Sequence, residues 1–453
     1  MVLGGGIAGL GAAAVLARHF DDVQVVERDR YGDQPAVRPH APQGAHVHIL
    51  LAKGLSVMSS LIPELGTWMD EMGRPEGDLT HHLRLAHGGK WLPKLRSGIA
   101  FRPCTRPEIE HLLLRHALRL PNLTLLAGHK AESLLGKSRI HGVRVSRADR
   151  PGSSFDLEAD LVVDAMGRAS PSARWLDAAG LSPPVSTLDA GVLYASCLFE
   201  PPADIDDDWM VMGVSTRVPH DPNSGGFMRL GPDRLLCALI PYGKPRPPRD
   251  PAEFVAATAQ LSVGEVHSLL RASRPLSDVS IFADTRNRWR HYGRLPRFPD
   301  GLITIGDAVC SFNPRYGQGM TIAALTAEHL DRELAARAGM PAPLHGFSLH
   351  FQKVLEGVLA LPWRIALMED RMWASVFSER SPGLAERLVM KTTTHVLGAM
   401  LADVDAYIQF VRVAHLIDPP SGMLSPRVLG ALFRGGAKDR APVERPRVQG
   451  TPR

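Results

Sequence analysis

The stretch GGGIAGLGAAA, residues 4–14, carries the pattern Gly4-x-Gly6-x-x-Gly9. Met1, Val2 and Leu3 stand ahead of it, and VQVVE at residues 23–27 follows as an apolar strand closed by Glu27. Strand, glycine turn, helix and acid in that succession open a doubly wound sheet that binds the ADP half of a dinucleotide. Gly4 permits the turn, Gly6 lets backbone approach a pyrophosphate, and Gly9 lets the helix pack close to the sheet. The helix predicted over Ile7–His19 offers unpaired N–H groups at Ile7 and Ala8 and a partial positive charge to the phosphates. Glu27 is expected to accept ribose hydroxyls, with Arg28 next to it at the same site. A first strand usually has about five or six residues. Either this one is short or the natural start lies further upstream.

The chain has 453 residues, enough for two or three structural units, and its 44% hydrophobic and 22% charged content is that of a soluble globular protein. No apolar run is long enough to span a bilayer, and the opening lacks a basic n-region, so a cytoplasmic location is expected. Cys104, Cys197, Cys237 and Cys310 lie far apart with no CxxC spacing, which argues against a metal site or a disulfide framework. The net charge is +5, and residues 436–453 account for three of it, with five basic residues against two acidic. The body is therefore nearly neutral. The Pro/Gly/Arg tail reads as disordered rather than as a nucleic-acid arm.

Along the chain, GAHVHILLAKGLSVMSSLIPEL (44–65) shows helical spacing, closed by Pro63 and Gly66. Thr105 caps a predicted helix with Pro107 early in it. NLTLLAG, HGVRVSRA and FDLEADLVVDA read as strands. From about Leu181, short strand-like runs (AGVLYASCLFE, WMVMGVS, GGFMRLG, RLLCALIPYG) suggest an inserted antiparallel sheet. Helical patterning returns between Arg246 and Leu276, and after about Leu344 the chain reads as helices. Trp363, Met368, Met372 and Trp373 are assigned there to core packing.

Residues 301–320, GLITIGDAVCSFNPRYGQGM, place Gly306-Asp307 at the end of a buried strand and open a helix after Pro314 and Gly317-Gln318-Gly319. Asp307 can accept hydrogen bonds from a polyol. The two glycines clear space for a flat ligand, and the helix start would stabilise a ring that becomes anionic on reduction.

GGGIAGL with Glu27, DLVVDAMGRAS (160–170) and GDAVCSFNPRYGQG (306–319) together resemble the three signature segments of FAD-dependent monooxygenases of the p-hydroxybenzoate hydroxylase fold. Within it, RPHAPQGAHVHILL (38–51) is similar to the bacterial branch of polyether-type epoxidases, distantly akin to squalene epoxidase. The resemblance implies an α/β chain, α+β overall. A Rossmann-like FAD-binding domain would occupy residues 1–180 and 284–345, with a substrate sheet domain at 181–283, a helical region at 346–435 and a disordered tail at 436–453.

It implies that Gly4, Gly6 and Gly9 hold the pyrophosphate, Glu27 the adenosine ribose and Asp307 the ribityl or pyrophosphate part. Gly317, Gln318, Gly319 and Met320 would face the isoalloxazine. Arg106 would reach the phosphate or ribityl region, and Arg38 and Gln43 would lie in the loop beside the flavin. Asp164, Gly167 and Gly306 complete the cofactor set. Gln43, His46, His48 and Pro314 are the candidates near the reacting ring. His46 and His48 would share a face on a strand and diverge on a helix, and a core role suits either equally. Tyr194, Trp209 and Arg217 are substrate-pocket candidates by position alone.

The implied reaction transfers one oxygen atom of O2, through a flavin C4a-hydroperoxide, to an apolar aromatic or alkene substrate in secondary metabolism. NAD(P)H would supply electrons directly or through a flavin reductase. Many relatives carry Asp-Gly in the middle motif; here Ala165 follows Asp164 and the glycine is displaced to 167, which leaves the electron route open. No second GxGxxG follows a strand, so no separate nicotinamide domain is expected, and the WxWxIP segment of flavin halogenases is missing. Two alternatives remain: a prenyl-type double-bond reductase on the same fold, and a non-redox cyclase or binding protein with structural FAD. Monomer and homodimer are both compatible with the sequence.

Overall fold

The computed structural model describes residues 1–206, 208–378, 403–426 and 428–430, with positions 383, 384, 387, 388 and 398 between. Its centre is a five-stranded parallel sheet in the order Leu302–Thr304, Val162–Asp164, Val2–Leu3, Val23–Glu27, Leu123–Ala127. The order places Val2–Leu3 in the middle, so the glycine turn leaves from the core of the sheet. Apolar side chains fill both of its faces, as a parallel sheet covered by helices requires. The first helix, Ile7–Leu16, packs against the helices Arg106–Ala117 and Gln318–Ala335.

A second sheet of eight strands runs Arg274–Pro275, Tyr194–Glu200, Leu235–Leu239, Gly225–Arg229, Val211–Val214, Leu83–His87, Lys90–Trp91, with Ser280–Phe282 also on Tyr194–Glu200. Side chains alternate along Tyr194–Glu200. Ala195, Cys197 and Phe199 enter a core shared with the helices Pro251–Ala257 and Gly264–Arg271, while Tyr194 and Ser196 face the cofactor-binding half. All four cysteines are buried free thiols. Among the described residues, no helix is long and apolar enough to cross a membrane.

Several elements differ from the sequence reading. The large sheet recruits Leu83–Trp91 from the N-terminal part, and Leu83–His87 pairs parallel to Val211–Val214. That pairing is a long-range match that local periodicity does not encode. The helix expected from Gly44 begins only at Ala52: Pro42–Ala45 form a short 3-10 turn, and tertiary bonds hold His46 and Leu51 extended. The His46 ring is tied to Ser196, and the Leu51 N–H donates to Thr321 Oγ1 at 3.2 Å. Gly66 lies inside the next helix, Leu65–Glu71. FDLEADLVVDA divides into Arg150–Glu158 and Val162–Asp164, which belong to different sheets. His129–Gly136, a strand the pattern does not announce, joins Ile140–Arg147 and Arg150–Glu158 in a three-stranded sheet. In the long helix Phe347–Val376, Trp363 and Trp373 are buried, whereas Met368 is 54% exposed and Met372 half-buried. The tail at 436–453 lies outside the described residues, as does part of the helical region at 346–435.

Candidate functional site

The first turn closes by contact. A Cβ on Gly9 would lie 1.8 Å from the Gly4 carbonyl oxygen, so helix and turn meet at backbone distance. No side chain caps the helix at Gly6 and no acid occupies its first turn, which leaves the leading N–H groups and their positive end available. Ile7 points into the core and is 4% exposed, so it can serve the site only through its backbone. Gly6 leaves room for a Cβ, which would stand at ordinary contact distance from Arg38 Nη2 at 3.7 Å, Arg106 Nη2 at 3.9 Å and Glu110 Oε1 at 3.9 Å. Two guanidinium groups, both held by Glu110, thus overlook an uncapped helix start.

This turn forms one wall of a cleft of about 480 Å³. Gly4, Gly6, Glu27, Arg28, Arg38, Gln43, Arg106 and Gly167 all line it, so the structure gathers these sequence-predicted residues from four chain segments. Glu27, buried at the strand end, accepts the Gly5 N–H at 2.6 Å and the Asp29 N–H at 2.8 Å. Arg38 pairs with Glu27 at 3.2 Å, Asp29 at 3.4 Å and Glu110 at 3.0 Å. Burial alone would lower its pKa, but Glu110, Tyr31 and Glu27 hold the guanidinium charged above its ordinary value. Arg106 is fixed by Glu110 one helical turn on, at 2.9 Å. Tyr31 donates to the Gly5 carbonyl at 2.5 Å and packs beneath the turn.

The middle motif acts from behind the wall. Asp164 is fully buried, accepting the Met166 N–H at 3.0 Å and the Ser170 hydroxyl at 2.6 Å. Burial pushes its carboxyl above the usual range. The residues it braces, Ala165, Met166 and Gly167, are those that line the cleft.

The third motif is a separate patch joined to the first helix. Gly306 packs on Ala8, where an added Cβ would come within 2.8 Å of the alanine Cβ. Asp307 is half-buried with no hydrogen bond or ion pair among the described residues, and its Oδ1 lies 4.0 Å from a Cβ position on Gly319. Gly317 caps the helix Gln318–Ala335 in the left-handed region, φ 63°, where a Cβ would also strike the Ile49 carbonyl at 2.8 Å. Gln318 is 1% exposed, and its Oε1 is buried without a partner. Met320 is core. Pro314 opens the short turn Pro314–Tyr316.

The segment 46–51 runs between this patch and the large sheet. His46 Nδ1 meets Ser196 Oγ at 2.8 Å, with Tyr194 and Phe282 around its ring. Burial lowers it to about 4. His48 is half-buried on the His46 carbonyl, and burial together with Arg106 lowers it to about 3. Tyr194 faces this segment, its hydroxyl buried and unpartnered. Trp209 lies in the core behind the sheet, and Arg217 is exposed in a turn bridged to Asp221, so neither borders the segment. Sequence reasoning missed Glu110, Tyr31 and Ser196. The i,i+4 spacing from Arg106 marks Glu110, whereas only the fold brings in the other two.

A model for the family described as FAD binding domain matches residues 1–340. The chain is 35% identical over 358 residues to protein Rv3254 of Mycobacterium tuberculosis, covering 74% of this chain and 73% of that one. Among solved structures it resembles PqsL, a probable FAD-dependent monooxygenase from Pseudomonas aeruginosa. There the TM-score is 0.58 at 19% identity, over 83% of this chain and 98% of that one. It also resembles the myxobacterial chondrochloren halogenase CndH, with TM-score 0.60 at 14% identity, over 93% and 98% of the two chains. At such identities the likeness concerns the fold.

Proposed function

Because the chain belongs to the FAD binding domain family, and is thereby a flavoprotein oxidoreductase, we propose that it is a monooxygenase that transfers one oxygen atom of O2 to an apolar aromatic or alkene substrate. The observation that carries the reading is the pairing of two uncapped helix starts, at Ile7 and Gln318, joined through Ala8, Gly306 and Asp307. One suits a pyrophosphate, and the other suits a ring that gains negative charge on reduction. The orphaned Gln318 Oε1 and the open cradle at Gly6 fit a bound FAD, which would supply the two-electron and oxygen chemistry.

In this reading Gly4, Gly6 and Gly9 with the Ile7 and Ala8 amides take the pyrophosphate, flanked by Arg28, Arg38 and Arg106. Glu27 receives the ribose, exchanging its contact with Arg38 for the hydroxyls. Asp164 holds the loop through Gly167, and Asp307 accepts from the ribityl chain. Gln318, Gly319 and Met320 present backbone N–H groups to the ring. His46, His48 and Pro314 border the reacting face, with His46 neutral at pH 7, whereas Gln43 lines the cleft beside Arg38. Tyr194 and Ser196 belong to the roof that excludes water. Electrons come from NAD(P)H, directly or through a flavin reductase.

The test is oxygen uptake by FAD-loaded protein supplied with NADH, NADPH or a flavin reductase. Uptake with hydrogen peroxide release in the absence of substrate is expected. Bound FAD with no uptake under any of the three conditions overturns the monooxygenase reading.

A further inference from the structure

The long helix Phe347–Val376 starts beyond the matched family region, and two adjacent acids on it, Glu369 and Asp370, reach back to the turn that precedes Gly317. Asp370 is fully buried, and among the described residues no cation pairs with it. Its Oδ1 accepts from the Tyr242 and Tyr316 hydroxyls, each at 2.8 Å. Its Oδ2 accepts from Asn287 Nδ2 at 2.5 Å, and Asn313 Nδ2 lies 3.2 Å from both oxygens. Glu369 pairs with Arg315 at 3.3 Å. Residues 313, 315 and 316 of one turn are therefore held by two consecutive residues of one helix.

A buried carboxylate without a cation carries a large desolvation cost, and an apolar residue would fill the same space more cheaply. Four directional donors offset that cost, and they come from three separate places. Asn287 lies on the strand Asn287–Arg290, Asn313 and Tyr316 on the turn, and Tyr242 beyond the end of the sheet strand Leu235–Leu239. The Asn313 N–H also donates to Asn287 Oδ1 at 2.7 Å, so the start of the turn is fixed from two sides. The next residues are the left-handed Gly317 and the helix start with its orphaned Gln318 oxygen.

We infer that Asp370, seconded by Glu369, is a positioning residue that sets the Asn313–Gly317 turn, and through it the helix start that faces the flavin ring. This rests on the proposed flavin site. The relevant variants are Asp370→Asn, Tyr316→Phe and Tyr242→Phe. Tyr316 and Tyr242 lose the same bond to Oδ1, but only Tyr316 lies on the turn.

Two readouts are taken on the full-length protein: amide hydrogen exchange across residues 313–320, and FAD affinity with the visible circular dichroism of bound FAD. D370N and Y316F should speed exchange at 315–318 and weaken FAD binding about tenfold, the scale of one hydrogen bond to a charged group. They should also alter the flavin dichroism, while Y242F, whose hydroxyl reaches the turn only through that of Tyr316 at 3.1 Å, changes all three less than Y316F does. Equal effects from Y316F and Y242F would reduce the cluster to general packing and overturn the inference. Wild-type exchange in both D370N and Y316F would do the same. If the wild-type protein binds no FAD, the flavin reading falls, and exchange across the turn still decides whether Asp370 sets it.

Discussion

A Cβ at Gly6 would meet no atom closer than 3.7 Å, whereas one at Gly9 would overlap the Gly4 carbonyl. The two glycines of one fingerprint therefore have separable purposes. Gly6→Ala is expected to melt within about 2 °C of wild type yet bind FAD at least about tenfold more weakly, because the methyl occupies ligand space. Gly9→Ala is expected to lose about 3 kcal/mol or more in denaturant titration, since backbone must move. Buried histidines give a second residue-scale expectation. Burial holds His46 and His415 at about 4, against 6.5 for a free ring. Their folded pKa is below the unfolded value, so the unfolded chain takes up protons that the fold refuses. Their contribution to stability is complete above about pH 6.5 and declines toward pH 4, by about 1.4 kcal/mol per pH unit for each ring. In His415→Gln the slope of unfolding free energy between about pH 6 and 4.5 should fall by about one proton. An unchanged slope excludes the effect.

At the scale of elements, the helix Arg106–Ala117 shows how a local signal comes to serve the site. Thr105 Oγ1 accepts the Glu108 N–H at 3.3 Å, and the Glu108 carboxylate accepts the Thr105 N–H at 2.8 Å, a reciprocal capping box. That cap fixes the turn carrying Arg106 and Glu110, which border the Gly6 cradle. Thr105→Ala is expected to cost about 1 kcal/mol in chemical unfolding and to weaken FAD binding less than Gly6→Ala. A loss of affinity equal to that of Gly6→Ala would show that the helix start matters as much as the cradle. The helix was legible because its cap, proline and periodicity coincide in one window. The extended run before Ala52 was not, because its apolar spacing suits a helix while Ser196 and Thr321 hold it otherwise.

For the molecule as a whole, the proposed cofactor would touch segments near residues 4–9, 27–38, 106, 164–175 and 306–320, which span most of the ordered topology. FAD at about a hundredfold over its dissociation constant should therefore stabilise the entire fold by about 2.7 kcal/mol in a single cooperative transition. A melt that splits in two on FAD addition would show that the large sheet unfolds independently of the cofactor half. The parallel sheet, its glycine turn and the cofactor class were legible in the sequence. Each rests on neighbours along the chain: a strand, three spaced glycines, an acid after the next strand, and a second glycine pair at a helix start. Arg38 bridging three carboxylates, Leu83–His87 joining the large sheet, the His46–Ser196 contact and the Asp370 hub were decided only by the tertiary structure. Those contacts join residues 9 to 150 positions apart, and their energies depend on burial and direction, which no local pattern of residue types records.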